Sequence, residues 1–479
     1  MKYLVMVLGV MVGTTVLAEV TEEALSDQLA ELDKTFFQRG FNQCDLDYLK
    51  SHVSEELRFY HDQSGVQDTA KFLHNTKKYI CREGDTKPVR FLVPGSLQTF
   101  PLYNDGRLYG AIQQGKHVFY LRQAGQPDKQ TSSADFASTW TRNGDDWQLE
   151  NVLSYNHTSP GAEEEALLET LNSAGVPALA IGILMEGRIQ STRVYGKLDD
   201  NRPAPQNALF KVASLTKPIV TLLTLKLAHA GRLDLDEPLS KYWVDPDLVS
   251  DNRVHLLTPR IVLTHQTGFP NWRWMSDDKK LSFNFAPGQG HGYSGEGFEY
   301  LRQALENKFD IPLEKLAEEY VFIPAGMEDT HFWWDEAVDE GRYAQHYDAQ
   351  GKQLPLHKYY KANGAANLIT TIGDYSSFMQ YVINQRHLMP VLYGEMTGKQ
   401  LQLGEHHYFG LGWEIFDNFS TQDRAVMHTG RDPGVNTLAV FFPESENAYV
   451  IFMNGDNSIP VLEHILPRLY LGSQLWSRR

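Results

Sequence analysis

Ser214 and Lys217 stand three residues apart, just before an apolar run at 219–228. Residues three apart on a helix share a face, so the hydroxyl and the amine would be neighbours there. A serine hydroxyl becomes a useful nucleophile only when a base takes its proton. A lysine acts as that base only where burial or a cationic neighbour depresses its pKa. A helix start also leaves backbone N–H groups free for a developing oxyanion. Alone, Ser-x-x-Lys is a weak signal, because a capping serine followed by a solvated lysine looks the same. Two further segments carry suitable groups. Tyr293 lies in Pro287-Gly288-Gln289-Gly290-His291-Gly292-Tyr293-Ser294-Gly295. A phenol held near cations can carry a proton despite an ordinary pKa of about 10. His428-Thr429-Gly430 puts an imidazole and a hydroxyl on an expected strand, with a glycine that lets a substrate backbone come close. Each of these also has a structural reading: a loop tyrosine packed on the core, and a strand end with a satisfied histidine.

The tyrosine segment contains two matches that fail. Gly290 and the glycines after it fit G-x-G-x-x-G by letter, but Asn284-Phe285-Ala286-Pro287 reads as loop rather than strand, which excludes a dinucleotide site. Gly292-Tyr293-Ser294-Gly295-Glu296 ends in Glu, so it is not a nucleophile elbow.

The elements around these residues follow a recognisable order. A helix is expected over 163–173, strands over 177–185 and 188–195 around an Glu186-Gly187 turn, and then a long helical middle. Strands return at 426–429, 435–442 and 449–454, and a helix over 461–476 closes the chain. Strands from both ends of 163–479 would thus flank an inserted helical region, giving an antiparallel sheet covered by helices. Thr158-Ser159-Pro160-Gly161 reads as a turn-rich linker, 158–162.

Residues 19–157 read as a separate α+β unit. Thr21 can cap a helix with Glu22 and Glu23 in its first turn and Leu25, Leu29, Leu32 and Phe36 along one face. A second helix is expected at 68–80, then strands at 89–93, 108–112, 117–122, 136–141 and 147–155. Two helices followed by a curved antiparallel sheet make an α+β unit. His61, Asp62 and His74 read as ordinary polar positions, and no catalytic set stands out in this part.

Residues 1–18 read as a secretory signal peptide: Lys2, an apolar run at 4–12, and small residues ending at Ala18. No later stretch is long and apolar enough for a span, so the mature protein is expected to be soluble and periplasmic or secreted. In an oxidising compartment Cys44 and Cys81 suggest a disulfide, with two buried thiols as the alternative; two thiolates do not complete a metal tetrahedron. The 479 residues carry 44 basic and 60 acidic side chains, a net charge of −16. That balance gives no electrostatic footprint for nucleic acid or anionic lipid. The partner it leaves room for is a small-molecule substrate.

Together the three motifs resemble the serine β-lactamase and penicillin-binding superfamily, and within it the class C β-lactamase, DD-peptidase and esterase branch. Leu263-Thr264-His265-Gln266-Thr267-Gly268-Phe269-Pro270, Pro324-Ala325-Gly326-Met327-Glu328-Asp329-Thr330 and Phe409-Gly410-Leu411-Gly412-Trp413 are similar to further signatures of that family, in the same order, over about 163–458. The first part resembles the cone-shaped fold of nuclear-transport-factor-2-like (SnoaL-like) proteins, through its element pattern and its closing stretch GDDWQLENVLSYNH, 144–157. The ligand or protein partner of such a domain is left open.

The resemblance implies Ser214 as acylating nucleophile, and Lys217 as its proton acceptor or as the activator of Tyr293. Tyr293 would pass the proton to the leaving group. The oxyanion hole would be the backbone N–H groups of Ser214 and Arg431, with His428, Thr429 and Gly430 shaping the cleft. No metal or organic cofactor is implied. Two departures bear on substrate. His428 stands where the family often has lysine, and Gly295 stands where it usually has an asparagine that donates to a substrate carbonyl. The expected activity is therefore hydrolysis of esters or small D-amino-acid amides through an acyl-enzyme. β-Lactamase or DD-carboxypeptidase action is the alternative, and a slowly deacylating penicillin-binding sensor is an alternative of another class. Glu296 or Gln289 is a candidate to replace the missing donor.

Overall fold

The computed structural model describes residues 22–93, 95–123, 128–144, 146–199 and 201–478. The expected signal peptide and the Thr21 cap lie outside them. The chain forms two compact units, up to Glu163 and from Glu164 onward.

In the first unit helix α1 (Glu22–Thr35) continues into a π-helical turn (Phe36–Asn42). Leu25, Leu29 and Phe36 are buried, and Leu32 packs beside them, as the helical spacing requires. Helix α2 (Leu46–Ser51) and α3 (Thr69–Asn75) follow, α3 ending in a π-helical turn (Thr76–Ile80). The strands are β1 (Val53–His61), β2 (Gly65–Asp68), β3 (Thr86–Leu92), β4 (Gln98–Asn104), β5 (Arg107–Gln123), β6 (Lys129–Asn143) and β7 (Asp146–Thr158). They form one sheet in the order β2-β1-β7-β6-β5-β3, with β4 also pairing β5. β1, β2 and β4 were not among the expected strands, and the sheet departs from expectation in two further ways. It is mixed rather than wholly antiparallel, because β1 pairs parallel to β7. Also, β5 is one continuous strand where two were expected, with Gly115 as an internal residue. The side chain of Phe136 lies over that glycine, where a Cβ would stand 3.0 Å from it, so the missing side chain makes room for a cross-strand ring rather than breaking the strand. Cys44 and Cys81 form a disulfide.

The expected linker 158–162 is not a separate segment. β7 runs to Thr158 and helix α4 (Pro160–Ala174) begins two residues later. Proline fits the first turn of a helix, whose N–H groups have no helical acceptor. Ser159 Oγ accepts the Ala162 N–H at 3.3 Å and its carbonyl accepts the Glu163 N–H at 3.1 Å.

The second unit holds an eight-stranded sheet. Its strands are β8 (Ala178–Met185), β9 (Arg188–Gly196), β12 (Leu401–Gly404), β13 (His407–Phe409), β14 (Glu414–Phe416), β15 (Ala425–Asp432), β16 (Val435–Phe442) and β17 (Asn447–Met453), with a separate pair of β10 (Phe210–Lys211) and β11 (Ile369–Thr370). The order β12-β13-β14-β15-β16-β17-β8-β9 seats β8 from the start of the unit beside β17 from its end, all antiparallel. The intervening chain supplies helices α5 (Thr216–His229), α6 (Pro259–Leu263) and α7 (Gly295–Phe309), followed by a longer helix at Ile372–Leu388. α5 is apolar nearly all round and its first ten residues are buried, the pattern of a helix inside a large core. The closing helix is broken, not continuous. Ile459–Ile465 gives way to a 3-10 turn at Leu466–Arg468 and a short helix at Gly472–Trp476. Pro467 cannot donate to the helical ladder, and a Cβ at Gly472 would meet Leu466 O at 2.0 Å.

Candidate active site

Ser214 lies in the 3-10 turn Ala213–Leu215 that feeds α5. Ala213, immediately before it, has φ 48°, a left-handed conformation that costs a non-glycine residue energy and survives only where neighbours hold it. Those neighbours are present. Thr216 Oγ1 donates to Ala213 O at 2.7 Å and accepts the Leu368 N–H at 3.2 Å. The Tyr375 hydroxyl donates to Leu215 O at 2.9 Å, and Thr437 Oγ1 donates to Val212 O at 3.0 Å. The turn is thus fixed by its own helix, the strand β11 region, the helix Ile372–Leu388 and β16.

Lys217 is fully buried, with Nζ 3.0 Å from Ser214 Oγ and 3.1 Å from Ala365 O. The same Nζ stands 4.7 Å from the Tyr293 ring centroid and 5.7 Å from that of Phe298. Burial brings the lysine pKa down to about 7, against the opposing pull of the Asp432 carboxylate. Asp432 is itself paired with Lys211 at 2.6 Å. The Tyr293 hydroxyl is hydrogen-bonded to Ser214, yet burial holds the phenol well above its ordinary range. Near neutral pH, then, the amine is available in its neutral form and the phenol keeps its proton.

His428, Thr429 and Gly430 line up on β15, with Arg431 next on the same strand. His428 is buried, and burial, reinforced by the charge of Lys217, lowers its pKa to about 3. Its Nδ1–H donates to Thr429 O at 2.7 Å, which leaves Nε2 as the unprotonated nitrogen of a neutral ring. Gly430 is there because of close approach. A Cβ on it would stand 2.3 Å from both Val212 O and Thr437 Oγ1, and 3.1 Å from Ser214 N. The strand carrying Gly430 and Arg431 therefore lies directly against the backbone of the Ser214 turn.

Gly295 opens α7, with Ser294 as its cap: Ser294 Oγ accepts the Gly297 N–H at 3.0 Å and donates to Pro270 O at 2.8 Å. The space beside Gly295 is filled by the indole of Trp272; a Cβ on Gly295 would lie 2.6 Å from Trp272 Cζ2. Of the two candidate replacement donors, one is already engaged. Glu296 is buried and committed to Arg273, through the Arg273 N–H at 3.0 Å and the guanidinium Nη2 at 2.9 Å. Gln289 is an exposed loop residue.

His265 belongs to the site and was not among the residues expected there. It is fully buried, its ring lies 4.3 Å from that of Tyr293, and its Nδ1 accepts the Ser294 N–H at 3.1 Å. Burial, with the nearby charges of Lys217 and His428, keeps its pKa far below the usual value. It is a neutral support behind Tyr293. Its signal was present, since it sits in the Leu263-Thr264-His265 signature. The Ala365 carbonyl and Trp272 carried no comparable mark.

In the first unit the structure joins residues that read as separate polar positions. Asp62 Oδ1 accepts from His157 Nδ1 at 2.6 Å, His61 stacks on His157 with centroids 4.3 Å apart, and Ser154 Oγ links His157 Nε2 (3.4 Å) to His117 Nε2 (3.3 Å). Arg90 and its partner Asp33 are buried beyond His117. His61 Nδ1 already accepts the Gln63 N–H at 3.1 Å. The ligand atoms of His61, Asp62 and His157 lie within 4.8 Å of one another, and in the structure they are joined as a hydrogen-bonded network. His74 is exposed on α3 and takes no part.

A family model described as "Beta-lactamase" matches residues 162–469, about two thirds of the chain. The chain belongs to the beta-lactamase family. Family members similar to it include the D-alanyl-D-alanine-carboxypeptidase/endopeptidase AmpH of Escherichia coli (strain K12), 25% identical over 315 residues, covering 58% of this chain and 80% of that one. Esterase EstB of Burkholderia gladioli is 31% identical over 187 residues, 33% of this chain and 47% of the esterase. The crystal structure of D-amino acid amidase from Ochrobactrum anthropi SV3 superposes with a TM-score of 0.55 at 22% identity, over 67% of this chain and 99% of the amidase. The matched region is a beta-lactamase-related serine hydrolase domain.

Proposed function

We propose that the protein is an exported serine hydrolase that works through an acyl-enzyme on Ser214, acting on esters or small D-amino-acid amides. The observation that carries this is the buried Lys217 amine 3.0 Å from Ser214 Oγ. A lysine with a pKa near neutrality is a competent general base. In acylation the Ser214 Oγ bonds to the acyl carbon and its proton passes to Lys217 Nζ. The bond to the leaving oxygen or nitrogen then breaks, and Tyr293 hands that atom a proton and is reprotonated from Lys217. Water repeats the sequence to release the acid and free Ser214. The backbone N–H groups of Ser214 and Arg431 would hold the oxyanion.

The pKa directions favour Lys217 over Tyr293 as the base, since a phenol raised by burial gives up its proton less readily. Gly295, which has no side-chain amide to offer, favours esters and small amides over substrates that need that donor. The esterase and the amidase among the relatives are compatible with this reading, and AmpH keeps a D-alanyl carboxypeptidase activity as the second reading. Among the described residues no helix is long and apolar enough to cross a membrane. The Cys44–Cys81 disulfide and the apolar N-terminal run support export. The element order of the first unit supports a nuclear-transport-factor-2-like domain, and the motif set supports the class C branch.

The test is a fluorophosphonate probe followed by intact-mass analysis, with para-nitrophenyl butyrate, D-alanine amide and nitrocefin compared in one buffer. Labelling of wild type but not Ser214→Ala, with higher kcat/KM on the ester than on nitrocefin, is the expected result. A label on another residue removes the nucleophile assignment. A faster cephalosporin reaction removes the ester preference, and a burst without turnover on every substrate supports the sensor reading instead.

A further inference from the structure

Trp272 is placed by more than chance packing. The loop that carries it is tied to the first turn of α7 at successive residues. Ser294 Oγ donates to Pro270 O, the Gly295 N–H donates to Asn271 Oδ1 at 2.9 Å, and the Glu296 N–H donates to Asn271 O at 3.0 Å. On the far side of the tryptophan, Arg273 is clamped by Glu296 at 2.9 Å and by the buried Asp245 at 2.7 Å. With both neighbours pinned, the indole is left over Gly295, where three of its ring carbons would come within 2.9 Å of an added Cβ. It packs against the core cluster on one side and remains partly exposed on the other. Trp274 and Met275, next along the chain, are 63% and 61% exposed. Gly295, under the indole, follows by two residues the Tyr293 that is bonded to Ser214.

We propose that Trp272 is the specificity-determining wall of the acyl-side subsite. It puts an aromatic face where a polar donor would otherwise project from position 295, and it selects flat or branched apolar acyl groups over acylamino side chains. The inference rests on the reading of Ser214 as nucleophile and deepens it. An aromatic face gains by excluding water from apolar substrate atoms. An acylamino carbonyl laid against it would instead lose its hydrogen-bond partner.

The experiment compares wild type, Trp272→Phe, Trp272→Ala, Gly295→Asn and the double variant Trp272→Ala/Gly295→Asn. Substrates are para-nitrophenyl phenylacetate, para-nitrophenyl acetate and nitrocefin, and the fluorophosphonate labelling rate of Ser214 is read separately. The ratio of kcat/KM on phenylacetate to that on acetate should fall about tenfold or more in Trp272→Ala, a change of the size that small alterations of an apolar pocket produce, and should be largely kept in Trp272→Phe. Gly295→Asn alone should lose labelling, because its side chain collides with the indole. The double variant should recover labelling and acylate nitrocefin faster than Trp272→Ala does. An unchanged phenylacetate-to-acetate ratio in Trp272→Ala would overturn the proposal, and so would a double variant no better on nitrocefin than Trp272→Ala. Failure of the wild type to label at Ser214 would instead remove the hydrolase reading on which the proposal stands.

Discussion

The chemistry of this protein is decided by what surrounds a few side chains. Lys217 has an ordinary amine; its burial is what suits it to the proposed role of base. Protonating it inside the protein is unfavourable, so its pKa falls to about 7 and the neutral, proton-accepting form grows as pH rises through that value. Two histidines near it, His265 and His428, stay neutral down to well below that pH, and burial keeps the Tyr293 phenol protonated above it. The expected kcat/KM profile therefore has one acidic limb near pH 7, falling tenfold per pH unit below it. The limb should remain in place in His428→Gln and disappear, with activity, in Lys217→Met. Stopped-flow ester hydrolysis over pH 5–9 measures this, and a limb that moves with His428 would reassign the base. Gly430 makes a second prediction at this scale. Its hydrogen leaves room for Val212 O and Thr437 Oγ1, each of which would lie 2.3 Å from a Cβ. Gly430→Ala should push β15 off the Ser214 turn and separate the two N–H groups, of Ser214 and Arg431, proposed as oxyanion donors. A loss of about 10²–10³ in kcat, the range seen when one oxyanion donor is removed, with little change in KM, is the expected outcome.

Elements hold these residues by tying distant segments together at single polar contacts. In the second unit the Val212 carbonyl joins the nucleophile turn to β16 through Thr437. In the first, Arg90 on β3 meets Asp33 on α1 at 2.9 Å, both almost wholly buried, while its backbone is bonded in both directions to Asn42. Two charges removed from water are tolerable as a pair, but one alone is not. Asp33→Ala strands the guanidinium and should lower the stability of the first unit by about 3–5 kcal/mol. Replacing Asp33 and Arg90 together with apolar residues should cost less than that. Urea denaturation of the single and double variants, followed by the fluorescence of the buried Trp140 and Trp147, measures the difference. A single variant as stable as the double would mean that water reaches Arg90.

At the scale of the whole molecule, the two compact units and the disulfide within the first predict that each unit melts separately. The Cys44–Cys81 bridge closes 37 residues of sequence separation, a constraint on the unfolded chain worth about 4 kcal/mol in the loop-entropy model. Cys44→Ser/Cys81→Ser should lower the melting transition of the first unit and leave that of the second where it was. Differential scanning calorimetry of the full chain should then show two transitions that move apart or together as only one shifts. A uniform shift of a single transition would show that the units unfold as one.

Much of this was legible in the sequence, because local chemistry and periodicity are local facts. Apolar runs placed β16 at its observed bounds and β15 and β17 within three residues of theirs. The spacing of Ser214 and Lys217 put hydroxyl and amine on one helical face, and a run of motifs in order identified the family. Other features could be settled only by tertiary structure, since they depend on which distant groups exclude water or occupy the same space. The parallel pairing of β1 with β7, the network that joins His61 and Asp62 to His157, and the support of Tyr293 by His265 all bring together residues far apart in the chain. The pKa of Lys217 depends on burial by segments such as Ala365 and Phe298, whose approach no spacing encodes. Gly295 makes the contrast plain: the sequence shows that a side chain is missing there, and only the folded chain shows that Trp272, 23 residues away, fills its place, because two side chains cannot share one volume.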